Sequence, residues 1–151
     1  GPYGSFQLLE INGYATSPDL IENARKGSIY LATVKVNPIL PSTLVAFFAA
    51  SPLIGDSMIG LSFSCDGVHW SEMINFYNST KRSSGRQSDH PVDGFVHVNS
   101  KIYAFIEADV IGLSGEDHRK SRLIQYALNP NTFRSRSVAM TKDLIGCSLK
   151  L

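Results

Sequence analysis

The sequence lacks several features that would assign its class at once. Its longest apolar stretch, residues 44–50, is far shorter than the roughly 18 residues of a membrane-spanning helix. The chain has only two cysteines, Cys65 and Cys147, and their separation fits no metal-binding spacing. Fourteen basic and 13 acidic residues leave a net charge of +1, which gives no overall field to attract nucleic acid. No glycine-rich phosphate loop is present. We therefore expect no membrane span, no metal or other cofactor, and no nucleic-acid partner.

Length and composition indicate a single globular domain. The chain has 151 residues, 43% of them hydrophobic, which is enough for one sizeable core. Residues 1–5 resemble a protease-cleavage and vector scar, so we take residues 6–151 as one all-β domain or propeller segment. Residues 78–80, Asn-Ser-Thr, form a glycosylation sequon, although such triplets often arise by chance. The compartment is left open, and a secreted or extracellular location is slightly favoured.

Short β-branched and apolar segments, separated by turn residues, predict an all-β fold. The predicted strands are residues 28–36, 43–50, 58–64 and 70–77, and then 92–99, 102–108, 122–128 and 132–140. Residues 6–11 and the tail 145–151 predict short additional strands, and residues 20–24 predict one turn of helix. The segment 43–50 is continuously apolar, which is typical of a strand that is buried on both faces.

The predicted strands fall into two blade-like units, about residues 27–78 and 89–140. Repeated four-stranded antiparallel units favour a β-propeller, and a two-sheet β-sandwich is the alternative. Two blades cannot close a ring, and open blades expose apolar faces and strand edges. The chain is then part of a longer protein, or it completes a ring with other chains, or it is a sandwich. The first two possibilities imply protein partners.

The stretch 64–70, Ser-Cys-Asp-Gly-Val-His-Trp, predicts a tight corner between two strands. Asp66 can accept hydrogen bonds from the N–H groups of the turn, and Trp70 can pack against a neighbouring sheet. The stretch resembles the Asp-box of sialidase-type propellers. It is more similar to the Ser-x-Asp-Leu-x-x-Trp corner of the five-bladed propeller glycoside hydrolases, the arabinanase, xylosidase and invertase-like clan, with Gly67 in place of Leu. Ser64, Asp66 and Trp70 are accordingly expected to have a structural role.

The stretch 86–91, Arg-Gln-Ser-Asp-His-Pro, resembles the Arg-Asp-Pro motif of the same clan. The resemblance implies that Asp89 begins an innermost strand and faces a central funnel, where it stabilises a positive transition state. Glycoside cleavage needs two carboxylates that flank the bond, so the catalytic candidates are Asp89, Asp93 and Glu107. The substrate-binding candidates are Arg86, His90 and Phe95. In the alternative interpretation, Asp89 and His90 cap a strand and Asp93 forms a turn with the following glycine.

The clan's two other acidic motifs are missing from this chain, so catalysis is left open. Our first hypothesis is a carbohydrate-directed β-propeller that is part or a subunit of a glycoside hydrolase. The alternatives are a non-catalytic, lectin-like subunit that binds sugar and a protein-docking subunit. In both alternatives the chain completes its propeller by association with further chains.

Overall fold

The computed structural model describes residues 9–16, 26–79, 89–108 and 121–147. These ranges form nine strands in two sheets and one helix, so the expectation of an all-β chain is confirmed. Arg86, the predicted helical turn at 20–24 and the vector-like residues 1–5 lie outside the described ranges. No helix within the described ranges is both long and apolar enough to cross a membrane.

The first sheet contains six strands in sequential order. They are β1 (Glu10–Ile11), β2 (Tyr14–Ala15), β3 (Gly27–Val36), β4 (Leu44–Pro52), β5 (Met58–Ser64) and β6 (Ile74–Asn78). Strands β3 to β6 form a four-stranded antiparallel meander, and β2 pairs with β3 in parallel. The last strand begins at Ile74, later than the sequence predicts, because Trp70 makes only an isolated bridge to Ser64.

The second sheet is a three-stranded antiparallel meander followed by a helix. Its strands are β7 (His90–Val98), β8 (Lys101–Ala108) and β9 (Arg122–Leu128), and the helix is α1 (Pro130–Thr141). Neither sheet closes on itself within the described ranges. Along β8 the burial alternates, so one face of this sheet is buried and the other is partly open.

Strand β4 is buried on both faces, as its continuous apolar sequence predicts. Val45 and Phe47 belong to the hydrophobic cluster that the two sheets and the helix share. Ala46 and Phe48 belong to a second cluster, which packs against the amino-terminal strands. The second sheet contributes Ile102, Ala104 and Ile106 to the shared cluster, and the helix contributes Phe133.

The strand predicted at 132–140 is wrong, because this segment is helix α1. Asn129 caps the helix, its side chain accepting a hydrogen bond from the backbone N of Thr132 at 3.1 Å, and Pro130 occupies the first turn. The buried residues of the helix are Phe133, Ser137 and Thr141, which are spaced by four and therefore line one helical face. The second unit consequently has three strands instead of four.

The described part of the tail, residues 145–147, is not a strand either. It forms a turn, in which the backbone N of Cys147 donates to the carbonyl of Leu144 at 3.1 Å. Gly146 has a φ of 83°, and a side chain there would meet the carboxylate of Asp66. A disulfide between Cys65 and Cys147 ties this turn to the corner at 64–70.

Candidate functional site

The corner between β5 and β6 is stabilised by its own side chains. The Ser64 hydroxyl accepts hydrogen bonds from the backbone N of Asp66 (3.3 Å) and Gly67 (2.9 Å). Oδ1 of Asp66 accepts from the backbone N of Val68 (2.9 Å) and His69 (2.8 Å). These bonds satisfy the N–H groups of the turn. They agree with the structural role that the sequence predicts for Ser64 and Asp66.

Asp66 also binds the ring of His69. Oδ2 of Asp66 lies 2.7 Å from Nδ1 of His69. This side-chain bond, with the backbone N–H groups of His69 and Val68 adding to it, holds the pKa of Asp66 well below its usual range. The carboxylate therefore fixes the orientation of the imidazole and leaves Nε2 as its remaining hydrogen-bonding atom. Trp70 is anchored as well, since its Nε1 donates to the carbonyl of Gly67 at 3.2 Å.

A groove of about 630 Å³, here called the corner groove, lies beside this turn. One wall consists of Val68, His69 and Trp70, and the facing wall of residues 143–145 after the helix. Glu10 and Asn12, from the β1–β2 hairpin, complete the lining. No local sequence signal indicates the facing wall or these hairpin residues. The disulfide ties residues 143–145 to the corner, and strand pairing attaches the hairpin to the first sheet.

The predicted catalytic residues lie around the start of β7. Asp89 immediately precedes this strand and is only 4% exposed. His90 is directly opposite Glu107 on β8, so the two side chains are neighbours on one face of the sheet. Strand alternation places Asp89 on the other face, together with the buried Pro91. Asp89 and Glu107 therefore do not face each other.

Two further predicted residues lie away from that face. Asp93 belongs to a bulge of β7, is 81% exposed, and forms an ion pair with Lys35 at 2.8 Å. Phe95 packs in the shared core, its ring centroid 5.1 Å from Phe47 and 5.3 Å from Phe133. The three candidate carboxylates thus do not converge, and the Phe95 ring faces the protein interior.

Tyr30 is a site residue that the sequence did not reveal. Its ring stacks on His90, with centroids 5.4 Å apart and an interplanar angle of 24°, and the residue is 74% exposed. Tyr30 is the extra residue of a β3 bulge, which its place in an apolar run conceals. Nε2 of His90 is buried and has no hydrogen-bond partner within the described part of the chain. We call Tyr30, His90 and Glu107 the β7 entrance.

The chemistry of the β7 entrance combines an open aromatic face with a carboxylate. An exposed tyrosine ring can pack against the C–H face of a sugar, and a carboxylate can accept hydrogen bonds from hydroxyl groups. No set of three or more His, Cys, Asp or Glu side chains among the described residues is arranged to hold a metal ion. Comparisons of the chain with models of known protein families, with curated proteins and with solved structures found no match.

Proposed function

We propose that the chain is a non-catalytic carbohydrate-binding module that binds saccharide at the β7 entrance. The stacked Tyr30–His90 pair carries this proposal, because it holds an exposed aromatic ring in a defined orientation. One face of the Tyr30 ring is covered by His90, and the other is free to stack on a sugar. Glu107, directly across from His90, is positioned to accept hydroxyl hydrogen bonds from the same ligand.

The placement of the carboxylates supports binding better than hydrolysis. A glycoside hydrolase needs two carboxyl groups on either side of one bond, about 5–10 Å apart depending on mechanism. Asp89 and Glu107 lie on opposite faces of the sheet, and Asp93 pairs with Lys35. The resemblance to the propeller hydrolases therefore supports a saccharide ligand. If the chain hydrolysed a saccharide, the proposal of a non-catalytic module would be wrong.

The test measures saccharide binding by wild type and three single variants. A glycan array selects the ligand, and titration calorimetry then gives its affinity. We expect Tyr30→Ala to weaken binding at least tenfold and Tyr30→Phe to retain it, because stacking needs the ring and not the hydroxyl. Ile145→Ala is the control: this side chain is also exposed, at 69%, but lines the corner groove. Unchanged binding in Tyr30→Ala, or a loss in Ile145→Ala, would contradict the site, and release of free sugar by wild type would indicate a hydrolase.

We further propose that the two sheets are blade-like units of a propeller that is completed by other protein chains. The outer face of the second sheet carries Val96 and Val98 at the end of β7 that is remote from the β7 entrance, and they are 45% and 46% exposed. Clustered apolar exposure of this kind is typical of interaction surfaces. A solution mass near a multiple of 16.5 kDa, measured by light scattering, would support self-association, whereas a monomer would contradict it.

A further inference from the structure

We infer that Asn78 carries an N-linked glycan at the β6 edge of the first sheet. Asn78 begins the Asn-Ser-Thr triplet at 78–80, and the 151-residue sequence contains no other Asn-x-Ser/Thr triplet. Neither the binding proposal nor the fold accounts for this motif. The inference is independent of the proposed saccharide site, which lies at the start of β7.

The geometry of β6 presents the side chain that would be modified. Asn78 is the last residue of β6, which is the terminal strand in the order of the first sheet and pairs with β5. The residue is exposed. Nδ2 of Asn75 donates to Oδ1 of Asn78 at 2.6 Å. This bond engages the amide oxygen and leaves Nδ2, the atom to which a glycan is attached, outside it.

The disulfide supplies an independent indication of the compartment. Cys65 and Cys147 are joined although 82 residues separate them in sequence. Disulfides form and persist in oxidising compartments such as the lumen of the endoplasmic reticulum, and they are rare in the cytosol. A chain that acquires this disulfide there passes through the compartment in which sequons are glycosylated.

The modification is a group transfer without any redox change. The co-reactant is an oligosaccharide linked through pyrophosphate to a lipid carrier. Nδ2 of Asn78 forms a bond to C1 of the terminal sugar, the bond between C1 and the pyrophosphate oxygen breaks, and the lipid pyrophosphate leaves. The amide nitrogen gives up one proton in the same process.

The glycan would also determine which surface remains open for association. An edge strand offers unpaired backbone groups to other chains, and a bulky hydrophilic substituent blocks that approach. A glycan on Asn78 covers the β6 end of the first sheet. Association with further chains, as proposed above, then uses the end of the outer face of the second sheet that carries Val96 and Val98.

The experiment is an intact-mass measurement after expression of the chain behind a cleavable secretion leader in eukaryotic cells. Protein from both the medium and the microsomes is analysed, before and after treatment with peptide N-glycosidase. We expect one glycan on wild type and on Thr80→Ser, and none on Asn78→Gln or Thr80→Ala. Asn75→Ala is the matched control, because it removes the neighbouring amide without altering the triplet, and it should remain glycosylated.

The inference would be overturned by wild-type protein that carries no glycan although neither cysteine reacts with thiol reagents. The intact disulfide would show that this protein had passed through the oxidising compartment. A glycan that persists in Asn78→Gln would overturn it as well. The mass is read without any saccharide ligand. Its outcome is therefore separate from that of the binding experiment on Tyr30.

Discussion

At the scale of single residues, Asp66 shows how one side chain stabilises a whole turn. Its Oδ1 satisfies two backbone N–H groups, and its Oδ2 binds the His69 ring at 2.7 Å. Charge-assisted hydrogen bonds of this kind are stronger than bonds between neutral groups. The stability of the corner therefore depends on the ionised form of this carboxylate.

We predict that Asp66→Ala lowers the free energy of unfolding by about 1–3 kcal/mol, because the donors of the turn lose their acceptor. Asp66→Asn should cost less and should also remove a pH dependence. The bond to His69 lowers the pKa of Asp66 in the folded state below its unfolded value of about 3.9. The stabilisation is therefore fully present above pH 5 and is lost as the pH falls below about 4 towards the folded pKa. Urea unfolding at pH 7, 5 and 3 measures the difference between wild type and Asp66→Asn.

The control for this prediction is Glu72→Gln. Glu72 is an exposed carboxylate near the corner, and its ion pair with Lys26 is long, at 3.8 Å. Such surface pairs contribute at most about 1 kcal/mol, so this variant should unfold nearly as wild type does. A wild-type advantage over Asp66→Asn that stays constant from pH 7 to pH 3 would contradict the assignment of the pH dependence to Asp66.

The sequence predicts the corner residues better than the residues of the β7 entrance, and the reason is the range of the interactions. Ser64, Asp66 and Gly67 act on backbone groups within three positions, so the local pattern contains the information. Tyr30 reaches His90 only because β3 has a bulge and lies near β7. Glu10 similarly reaches the corner groove through long-range pairing. Neither contact can be predicted from the residues next to it in sequence.

At the scale of elements, helix α1 is the main departure from the sequence prediction. The pair Asn129-Pro130 ends a strand and also starts a helix. The sequence prediction interprets the pair only as the turn that ends the strand, and it therefore misses the helix. Two of the three buried helix residues are polar, so hydrophobic periodicity does not mark their face. The hydroxyls of Ser137 and Thr141 donate to the carbonyls four residues earlier, at 2.8 and 2.7 Å. Both hydroxyls can therefore be buried without losing their hydrogen bonds.

Asn37 connects this helix to the first sheet, and we predict that Asn37→Ala lowers the free energy of unfolding by about 2–4 kcal/mol. Asn37 is fully buried, and its Nδ2 donates to the Ser137 hydroxyl at 2.8 Å. Its Oδ1 accepts from the backbone N of Ile39 and Leu40, at 3.0 and 3.2 Å. Alanine would leave these part-buried backbone donors without their acceptor, and the buried Ser137 hydroxyl without its donor. Urea unfolding followed by circular dichroism at helix and strand wavelengths measures the loss.

Asn75→Ala is the matched control for Asn37, because this asparagine is exposed and its side chain donates to Asn78 in the same strand. Exposed substitutions of this kind usually change stability by less than about 0.5 kcal/mol. If Asn37→Ala and Asn75→Ala unfolded at the same urea concentration, the buried bonds of Asn37 would not be what holds the helix to the sheet.

At the scale of the whole molecule, the sequence predicts the all-β class because each strand has its own local pattern. The doubly buried segment 43–50 also follows from composition, since both of its faces are apolar. How the sheets combine depends on which faces meet, and Val45 and Ala46, which are both apolar, point to opposite clusters. Sequence periodicity therefore does not distinguish a propeller from a sandwich. Because one face of the second sheet is partly exposed, the oligomeric state in solution is the property to measure.

The Cys65–Cys147 disulfide closes a covalent loop between cysteines 82 residues apart in sequence, and we predict that its removal destabilises the whole chain. In the chain-entropy description, a loop of this length restricts the unfolded chain enough to contribute about 4–5 kcal/mol. Urea unfolding of wild type with and without reductant measures the effect. The variant with both cysteines changed to serine should match reduced wild type and should not respond to reductant. Hydrogen exchange should also accelerate in residues 143–147, since the disulfide ties this wall of the corner groove to β5. An unchanged unfolding midpoint after complete reduction would show that packing of helix α1, rather than the disulfide, holds the carboxy-terminal turn in place.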